Sequence, residues 1–270
     1  MSFLNFFNGM VVVITGASSG FGAEFARQLA PVADTLLLVA LEKELLDSVK
    51  AELTSAHPAL KVITFAVDLG DRTSRNAFCE ELTRQYPAID LLINNAGLGD
   101  TGRFHKARWD RMRKIFDVNV VALTALTHWF VPAMCNRSKG AILNVCSLAG
   151  VVPAPMLAVY SASKKYVSSF SEALRVEIRS SGVTVTTVCP GPVDTNFGLV
   201  ANRNGKKSLQ GPAWFKTTPA KVVSEALRGV ARGRARVFPT FPALGFACLF
   251  SLLPLGLRSW LFLRFFQKKK

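Results

Sequence analysis

Ser147, Tyr160 and Lys164 have the types and spacing to carry out chemistry on a carbonyl or an alcohol. Tyr160 and Lys164 stand four positions apart, so on a helix they would share one face, one turn from each other. A nearby ammonium group favours the phenolate and lowers the pKa of a tyrosine from its usual value of about 10. Such a tyrosine can exchange a proton near neutral pH, and Ser147 could hydrogen-bond the same substrate oxygen. Because a Tyr and a Lys at this spacing are also common on solvated helices, the surrounding elements must decide between the two interpretations.

A glycine-rich turn between a strand and a helix stands near the start of the chain. Val11–Ile14 is a short β-branched run that predicts a buried strand, and residues 23–30 follow a helical pattern. The turn between them, Thr15–Gly22, reads TGASSGFG. Glycines let the backbone approach a phosphate, and the helix N-terminus supplies N–H donors and a positive dipole. The turn therefore indicates a dinucleotide cradle, although its G-x-x-x-G-x-G spacing is not the usual one and a purely structural turn is the alternative.

Small and polar residues follow the other predicted strands at their carboxyl ends. Further strands are predicted at 35–40, 61–67, 89–93, 141–146, 183–189 and 236–240, alternating with helices at 42–56, 73–86, 109–130, 159–180 and 219–232. This alternation predicts right-handed βαβ units in an α/β doubly wound parallel sheet, where ligands bind outside the carboxyl ends of the strands. Every candidate group falls at such an end: Gly16–Gly22, Asp68, Asn94–Gly97, Ser147 and Pro190–Thr195. Their agreement favours the chemical interpretation of Tyr160.

Two strand ends bear on the cofactor. Ala40 and Leu41 occupy the place where a NAD site usually has an acid for the ribose 2′-hydroxyl. The missing acid favours NADP(H), with NAD(H) as the alternative, although Glu42 is close. Lys43 could reach a 2′-phosphate or be a solvated helix charge, and Asp68 could hold the adenine or cap the next helix.

Taken together, in this order and spacing, the motifs resemble the short-chain dehydrogenase/reductase family from about Met10 to Thr240. The resemblance implies a Rossmann-like single domain and an NAD(P)-dependent oxidoreductase acting on CH–OH groups. It implies that Tyr160 is the general acid in ketone reduction and the base in alcohol oxidation, and that Lys164 lowers the pKa of Tyr160 and binds the nicotinamide ribose. It further implies that Ser147 orients the substrate oxygen and that Asn119 holds a water in a proton relay to Lys164.

The resemblance also implies a set of residues that bind the cofactor. Many NADP-using members carry a basic residue at the position of Ser19 or an Arg at that of Leu41; both are missing here, and Ser18 and Ser19 could hydrogen-bond a phosphate instead. Besides Tyr160 and Lys164, the expected cofactor-binding residues are Gly16, Ser18, Ser19, Gly20, Phe21, Gly22, Asp68, Leu69, Asn95, Ala96, Gly97, Pro190, Gly191, Val193 and Thr195.

Uncharged, mostly apolar residues surround the predicted site, which favours an apolar ketone or secondary alcohol such as a steroid, a retinoid-like molecule or a 3-keto lipid. These residues are Leu98, Phe104, Leu148, Val151, Pro153, Met156, Pro192 and Phe197. Residues 196–217 are polar and glycine-rich and predict a mobile substrate lid, on which Lys206 or Lys207 could bind an anionic head group or simply be solvated. The alternative function is a non-catalytic dinucleotide-binding sensor or scaffold on the same fold.

The positive charge of the chain is concentrated near its C-terminus. Residues 196–270 hold fourteen Lys or Arg and one acid, Glu225. The seventeen residues 241–257 carry no charge, and Arg258, Arg264 and Lys268–Lys270 follow. This length is at the lower limit for a membrane span, and Pro242 and Pro254 interrupt it. We therefore expect residues 241–270 to lie on an anionic membrane surface on the cytoplasmic side, with a pocket cover or an oligomer contact as alternatives.

The predicted organisation has three parts: an apolar N-terminal arm (1–9), a catalytic domain (10–240) and the C-terminal tail (241–270). Five cysteines and three scattered histidines show no metal-like spacing, so we expect reduced thiols and no metal site. The expected partners are a hydrophobic small-molecule substrate and further copies of the chain in a homodimer or homotetramer. A nucleic-acid partner would rest on charge alone and is not expected.

Overall fold

Seven parallel strands form one sheet in the order β3-β2-β1-β4-β5-β6-β7. The computed structural model describes residues 3–193, 197–202, 217–254, 256–258, 260–261 and 264. Its strands are β1 (Val11–Thr15), β2 (Thr35–Ala40), β3 (Lys61–Ala66), β4 (Leu91–Asn94), β5 (Gly140–Val145), β6 (Val183–Val188) and β7 (Arg236–Val237). The crossover between β3 and β4 reverses the strand order beside β1, so the predicted doubly wound sheet is confirmed.

Nine α-helices connect or follow these strands in the described parts of the chain. They are α1 (Gly20–Leu29), α2 (Lys43–Ala56), α3 (Arg72–Gln85), α4 (Trp109–Phe116), α5 (Leu123–Asn136), α6 (Ala158–Glu177), α7 (Phe197–Ala201), α8 (Pro219–Ala231) and α9 (Phe241–Leu252). Short 3₁₀ turns lie at Phe3–Phe7, Phe104–Lys106, Leu148–Gly150 and Arg179–Ser181, and a π-helical turn spans Asp117–Ala122.

Both faces of the sheet are covered, which is why its central strands are almost wholly apolar. All six residues of β2 are buried. One core lies between the sheet and α1, α2 and α8, with Phe7 of the N-terminal arm buried in it. The second core lies between the sheet and α3 and α5. The N-terminal arm thus packs on the domain, and the guanidinium group of Arg228 lies 5.2 Å from the centre of the Phe3 ring.

The boundaries differ from the sequence prediction in two informative places. The helix predicted at 109–130 continues to Asn136 through Pro132 and contains the π-helical turn. The strand predicted at 236–240 stops at Val237, because Pro239 has no N–H to continue the ladder.

One continuous helical stretch, Trp109–Asn136, is long and apolar enough to cross a membrane by length and composition alone. Its buried residues, including Met112, Leu126 and Phe130, pack inside the domain. The core helix of a globular protein can have the same length and apolar composition as a membrane span. By contrast, α9 leaves Leu249 and Leu252 exposed by 66% and 83%.

Candidate active site

Ser147 and Tyr160 meet beyond the carboxyl end of β5. Ser147 directly follows Cys146 at this strand end, and its Oγ accepts a hydrogen bond of 3.1 Å from the N–H of Ala149. Tyr160 lies in the first turn of α6 and is 9% exposed, and its hydroxyl lies close enough to that of Ser147 for Ser147 to lower its pKa. Two hydroxyl groups therefore converge where both can reach one substrate oxygen.

Lys164 is buried one helical turn beyond Tyr160, but its ammonium group does not reach the phenol. Its Nζ donates a hydrogen bond of 2.8 Å to the carbonyl of Val145 and lies 5.9 Å from the centre of the Tyr160 ring. Burial raises the pKa of Tyr160 above its ordinary value, against the opposing effect of Ser147. Burial also lowers the pKa of Lys164. Desolvation of the phenolate is the largest influence on the pKa of Tyr160 here, so the lowering of that pKa by Lys164 stays a prediction.

Asn119 lies in the π-helical turn and holds the segment after β4. Its Oδ1 accepts from the N–H of Leu98 at 2.7 Å, and its Nδ2 donates to the carbonyl of Leu98 at 2.9 Å. Nδ2 also donates to the Oγ of Ser163 at 3.0 Å, inside α6. Asn119 thus ties the wall after β4 to the helix that carries Tyr160. Its role in a water relay, implied by the resemblance, stays a prediction.

The glycine-rich turn has the close packing and the open helix terminus that an anion cradle needs. Gly16 and Gly20 have positive φ angles of 64° and 55°, and a Cβ on Gly22 would lie 2.0 Å from the carbonyl oxygen of Gly16. Ser19 is the N-cap residue of α1 but makes no side-chain hydrogen bond to the first turn. The N–H groups of that turn are therefore left for a ligand.

The segment Asn95–Gly97 packs against this turn. Asn95 Nδ2 donates to the carbonyls of Thr15 and Gly16 at 2.9 and 3.1 Å, and the hydroxyl of Thr15 accepts from the N–H groups of Asn95 and Ala96. A Cβ on Gly97 would lie 3.4 Å from both Asn119 Oδ1 and Lys164 Nζ. Gly97 is therefore the point where the cradle and the Tyr160 cluster adjoin.

Asp68 does not cap the next helix, so the capping alternative is wrong. The cap of α3 is Asp71, whose Oδ2 accepts from the N–H of Ser74 at 2.7 Å. Asp68 instead accepts from the N–H of Gly70 at 2.9 Å, at the carboxyl end of β3. Leu69 is buried in the second core, so only its backbone could contact a cofactor. Both stay predicted cofactor residues.

The end of β2, where the sequence places the 2′ group of the cofactor, carries more negative charge than the sequence indicated. Ser18 Oγ donates a hydrogen bond of 3.2 Å to Glu42 Oε2, so Ser18 is engaged by a carboxylate. Lys43 is paired with Asp47, so it is not available to a phosphate without breaking that pair. Leu41 is 61% exposed between them.

We expect Glu42→Gln to shift cofactor preference toward NADPH. Removing this carboxylate relieves repulsion of a 2′-phosphate bound near Ser18, and the ratio of kcat/KM for NADPH to that for NADH should rise about tenfold, or ~1.4 kcal/mol. Steady-state kinetics with both cofactors measure the ratio. The matched control is Glu44→Gln, which removes another acid from the first turn of α2. An equal change of the NADPH-to-NADH ratio in both variants would contradict a specific role for Glu42.

The described part of the predicted Pro190–Thr195 segment, residues 190–193, lies beside Ser147. The carbonyl of Pro190 accepts from the N–H of Leu148 at 2.8 Å, and Val193 pairs with Thr217 in an isolated bridge. Gly191 stands between them in the chain. Thr195 and most of the predicted lid, with Lys206 and Lys207, fall outside the described residues.

The structure brings one of the predicted apolar residues, Phe197, against Tyr160. The ring of Phe197 in α7 lies 5.6 Å from the ring of Tyr160, and Met156 accepts from the N–H of Gly102 at 2.8 Å. Phe104 is 63% exposed, so its side chain faces solvent more than the pocket.

Three supporting residues were missed by the sequence analysis. Thr15 fixes the segment after β4, and Ser163 links Asn119 to the carbonyl of Tyr160 at 2.7 Å. Cys146 is buried, and its Sγ donates to the carbonyl of Lys164 at 3.1 Å. Thr15 borders the glycine turn and Ser163 precedes Lys164, but nothing in the sequence marks a contact for Cys146.

Comparisons with known proteins agree with this geometry. Residues 10–205 match the family model for the short chain dehydrogenase. A very-long-chain 3-oxoacyl-CoA reductase from Mycosarcoma maydis is 33% identical over 229 residues, which is 83% of this chain and 62% of that protein. The chain therefore spans less than two thirds of the length of that relative.

Two solved structures have the same fold. A short-chain dehydrogenase from Sphingobium yanoikuyae in complex with NADPH is 30% identical, with a TM-score of 0.79 over 91% of this chain and 97% of that one. A short-chain dehydrogenase/reductase from Burkholderia phymatum in complex with NAD is 25% identical, with a TM-score of 0.79 over 90% of this chain and 93% of that one.

Proposed function

This chain belongs to the short-chain dehydrogenase family, and from that premise we propose that it transfers hydride between a nicotinamide cofactor and a ketone or secondary alcohol. The observation that carries the proposal is the close approach of the Ser147 and Tyr160 hydroxyls, beside a glycine-rich turn whose helix N-terminus has no side-chain cap. The buried positions of Asn119, Tyr160 and Lys164 give the sensor alternative little support, because binding alone requires no buried acid–base group.

In the proposed reaction the chain orients the carbonyl and supplies the proton. Ser147 donates a hydrogen bond to the carbonyl oxygen, and Tyr160 transfers its phenolic proton to that oxygen as hydride arrives at carbon. The cofactor supplies the hydride when bound. Phe197 and the surrounding apolar groups exclude water from Tyr160, which keeps the phenol protonated until the alkoxide forms.

NADP(H) is the favoured cofactor, and NAD(H) is an alternative substrate for the same site. Solved relatives are complexed with each of the two. The N–H groups of the first turn of α1 suit the pyrophosphate of either cofactor, so the discrimination falls on Ser18, Ser19 and Glu42.

The substrate we propose is an apolar ketone, with 3-keto lipids first, then steroids and retinoid-like molecules. Phe197 and the loop 148–157 present mainly apolar surface near Tyr160. The relative from Mycosarcoma maydis is a very-long-chain 3-oxoacyl-CoA reductase, which supports a long 3-keto chain. A panel of 3-keto lipids, steroids and short polar ketones, assayed with NADPH and NADH, tests this. Activity confined to the short polar ketones would contradict it.

For localisation, we propose that residues 241–270 hold the protein on a membrane surface. Helix α9 carries exposed Leu249 and Leu252, and Trp260 beyond it is 50% exposed. The guanidinium group of Arg264 lies 5.1 Å from the centre of the Trp260 ring, a pairing of cation and aromatic ring suited to the lipid interface.

We expect removal of residues 241–270 to lower the fraction of the protein that binds to anionic vesicles. The measurement is co-sedimentation, with catalytic activity on a soluble ketone as the control for folding. Unchanged sedimentation of an active truncated protein would contradict the proposal.

For assembly, we propose a homodimer or homotetramer built on the outer faces of α5 and α6. Tyr166 of α6 is 38% exposed, stacks on Phe170 at 5.7 Å and hydrogen-bonds Thr124 at 2.8 Å. Val121, three residues before Thr124, is 44% exposed. Sedimentation equilibrium measures the assembly state.

A further inference from the structure

A basic and aromatic surface, residues 103–114, lies between β4 and the π-helical turn and is not used by the catalytic cluster. Phe104 and Trp109 are 63% and 65% exposed, more than any other aromatic side chain among those the structure describes. The same segment carries five exposed cations: Arg103, Lys106, Arg108, Arg113 and Lys114.

This surface begins directly at the mouth of the active site. Gly102 donates to the carbonyl of Met156 in the apolar loop, and Thr101 donates to the carbonyl of Ala201 in α7, both at 2.8 Å. Behind it, Arg111 pairs with the buried Asp100 at 3.0 Å. The segment is thus fixed to both walls that cover Tyr160, and its position relative to the site is set by backbone contacts.

The segment that forms this surface carries more cations than acids. Within 103–117 there are six Lys or Arg and two Asp. Asp110 lies 3.6 Å from Arg108 and Asp117 lies 3.7 Å from Arg113, and exposed pairs at such distances contribute little. A surface with this excess of cations would repel a second copy of itself, which disfavours a symmetric contact between subunits here.

We propose that the surface 103–114 binds an anionic lipid bilayer and turns the mouth of the active site toward it. Exposed aromatic rings interleaved with cations match the interfacial layer, where rings enter the headgroup region and cations pair with lipid phosphates and carboxylates. An apolar substrate would then pass from the bilayer to Tyr160 without crossing water. This last consequence rests on the proposed function, whereas vesicle binding does not.

The observations favour a bilayer over a soluble phosphate-bearing substrate as the occupant. Phe104 and Trp109 lie on a 3₁₀ turn and on the first residue of α4 and stand out from the surface. A soluble nucleotide would need a cavity that encloses its base and phosphates, whereas a bilayer needs only exposed aromatic and cationic side chains on the protein surface.

The test is vesicle binding of the full chain carrying Lys106→Gln and Lys114→Gln. Two exposed cations near an anionic surface account for about thirtyfold in partition coefficient, so binding to phosphatidylcholine/phosphatidylserine vesicles should fall about thirtyfold, with no change on pure phosphatidylcholine. The matched control is Arg72→Gln with Arg84→Gln, two exposed cations of α3, which should bind like the wild type.

A second variant tests the aromatic contribution. Trp109→Ser should weaken binding and should remove part of the quenching of protein fluorescence by brominated lipids. Wild-type binding and quenching by both variants would overturn the proposal. So would an unchanged partition coefficient accompanied by a raised KM for a soluble acyl thioester, because the surface would then bind a soluble anion. If vesicle binding falls as expected but no ketone is reduced, the proposed function fails and the membrane surface stands.

Discussion

Tyr160→Phe should lower kcat for ketone reduction about a thousandfold, because it removes the phenolic proton and keeps the ring. The ring still packs against Phe197, so the fold should be retained, and losing the contact between the Tyr160 and Ser147 hydroxyls should cost no more than about 1 kcal/mol of stability. The Kd for NADPH should stay within about twofold of the wild type. The measurement is steady-state kinetics with fluorescence titration of the cofactor.

Tyr166→Phe is the matched control for this variant. Tyr166 lies six residues further along α6, is half-exposed, and loses only a hydrogen bond to Thr124. Its kcat should be that of the wild type. A loss of less than tenfold in Tyr160→Phe would show that another group supplies the proton.

The same tyrosine sets the pH dependence of the two directions. Because burial raises the pKa of Tyr160, the phenol is protonated near neutral pH, and reduction should be nearly independent of pH there. Alcohol oxidation needs the phenolate, so its rate should rise about tenfold per pH unit through the alkaline range until the pKa is reached. Tyr160→Phe should abolish that slope. A wild-type oxidation rate that falls with rising pH would contradict the assignment.

Gly22→Ala should abolish tight cofactor binding. The added Cβ would lie 2.0 Å from the carbonyl oxygen and 2.6 Å from the carbonyl carbon of Gly16, and both atoms are backbone, so α1 must move away from the turn. Overpacking of this kind costs about 1–3 kcal/mol, and the displaced N–H groups should weaken NADPH binding by about a hundredfold or more.

Gly233→Ala is the control for Gly22→Ala, because it introduces backbone strain without the contact between a new Cβ and the Gly16 backbone. Gly233 has a positive φ of 59°, but an added Cβ would meet no atom within 4 Å. It should lose about 1 kcal/mol of stability and bind NADPH normally. Titration calorimetry and thermal unfolding of both variants measure the difference. Normal affinity in Gly22→Ala would show that the turn is not the cradle.

The sequence predicted the sheet and the edge on which the site lies because both follow from local patterns. Runs of β-branched residues such as Val11–Ile14 predict buried strands, and the alternation of these strands with helices predicts the edge at which their carboxyl ends meet. The joining of Ser147 to Tyr160 follows from that topology.

What the sequence could not predict depends on contacts between distant residues or on burial. The sequence suggested Asp68 as a possible cap of the next helix, and only the backbone path shows that Asp71 takes that place. Lys43 is taken by Asp47, one turn further along α2, a pairing that competes with any phosphate. The pKa of Tyr160 depends on how deeply α6 is covered, which spacing does not report.

The hydrogen bonds that join Asn119 to Leu98 affect how the substrate pocket could change over evolution. Both hydrogen bonds from the Asn119 side chain to Leu98 go to main-chain atoms, so they do not depend on which side chain stands at position 98. Leu98 is one of the apolar residues expected around the site, so a substitution there should change the lining of the pocket while the loop keeps its position relative to Tyr160. The molecule thereby separates the choice of substrate from the accuracy of catalysis, so new specificities can be sampled without first repairing the chemistry.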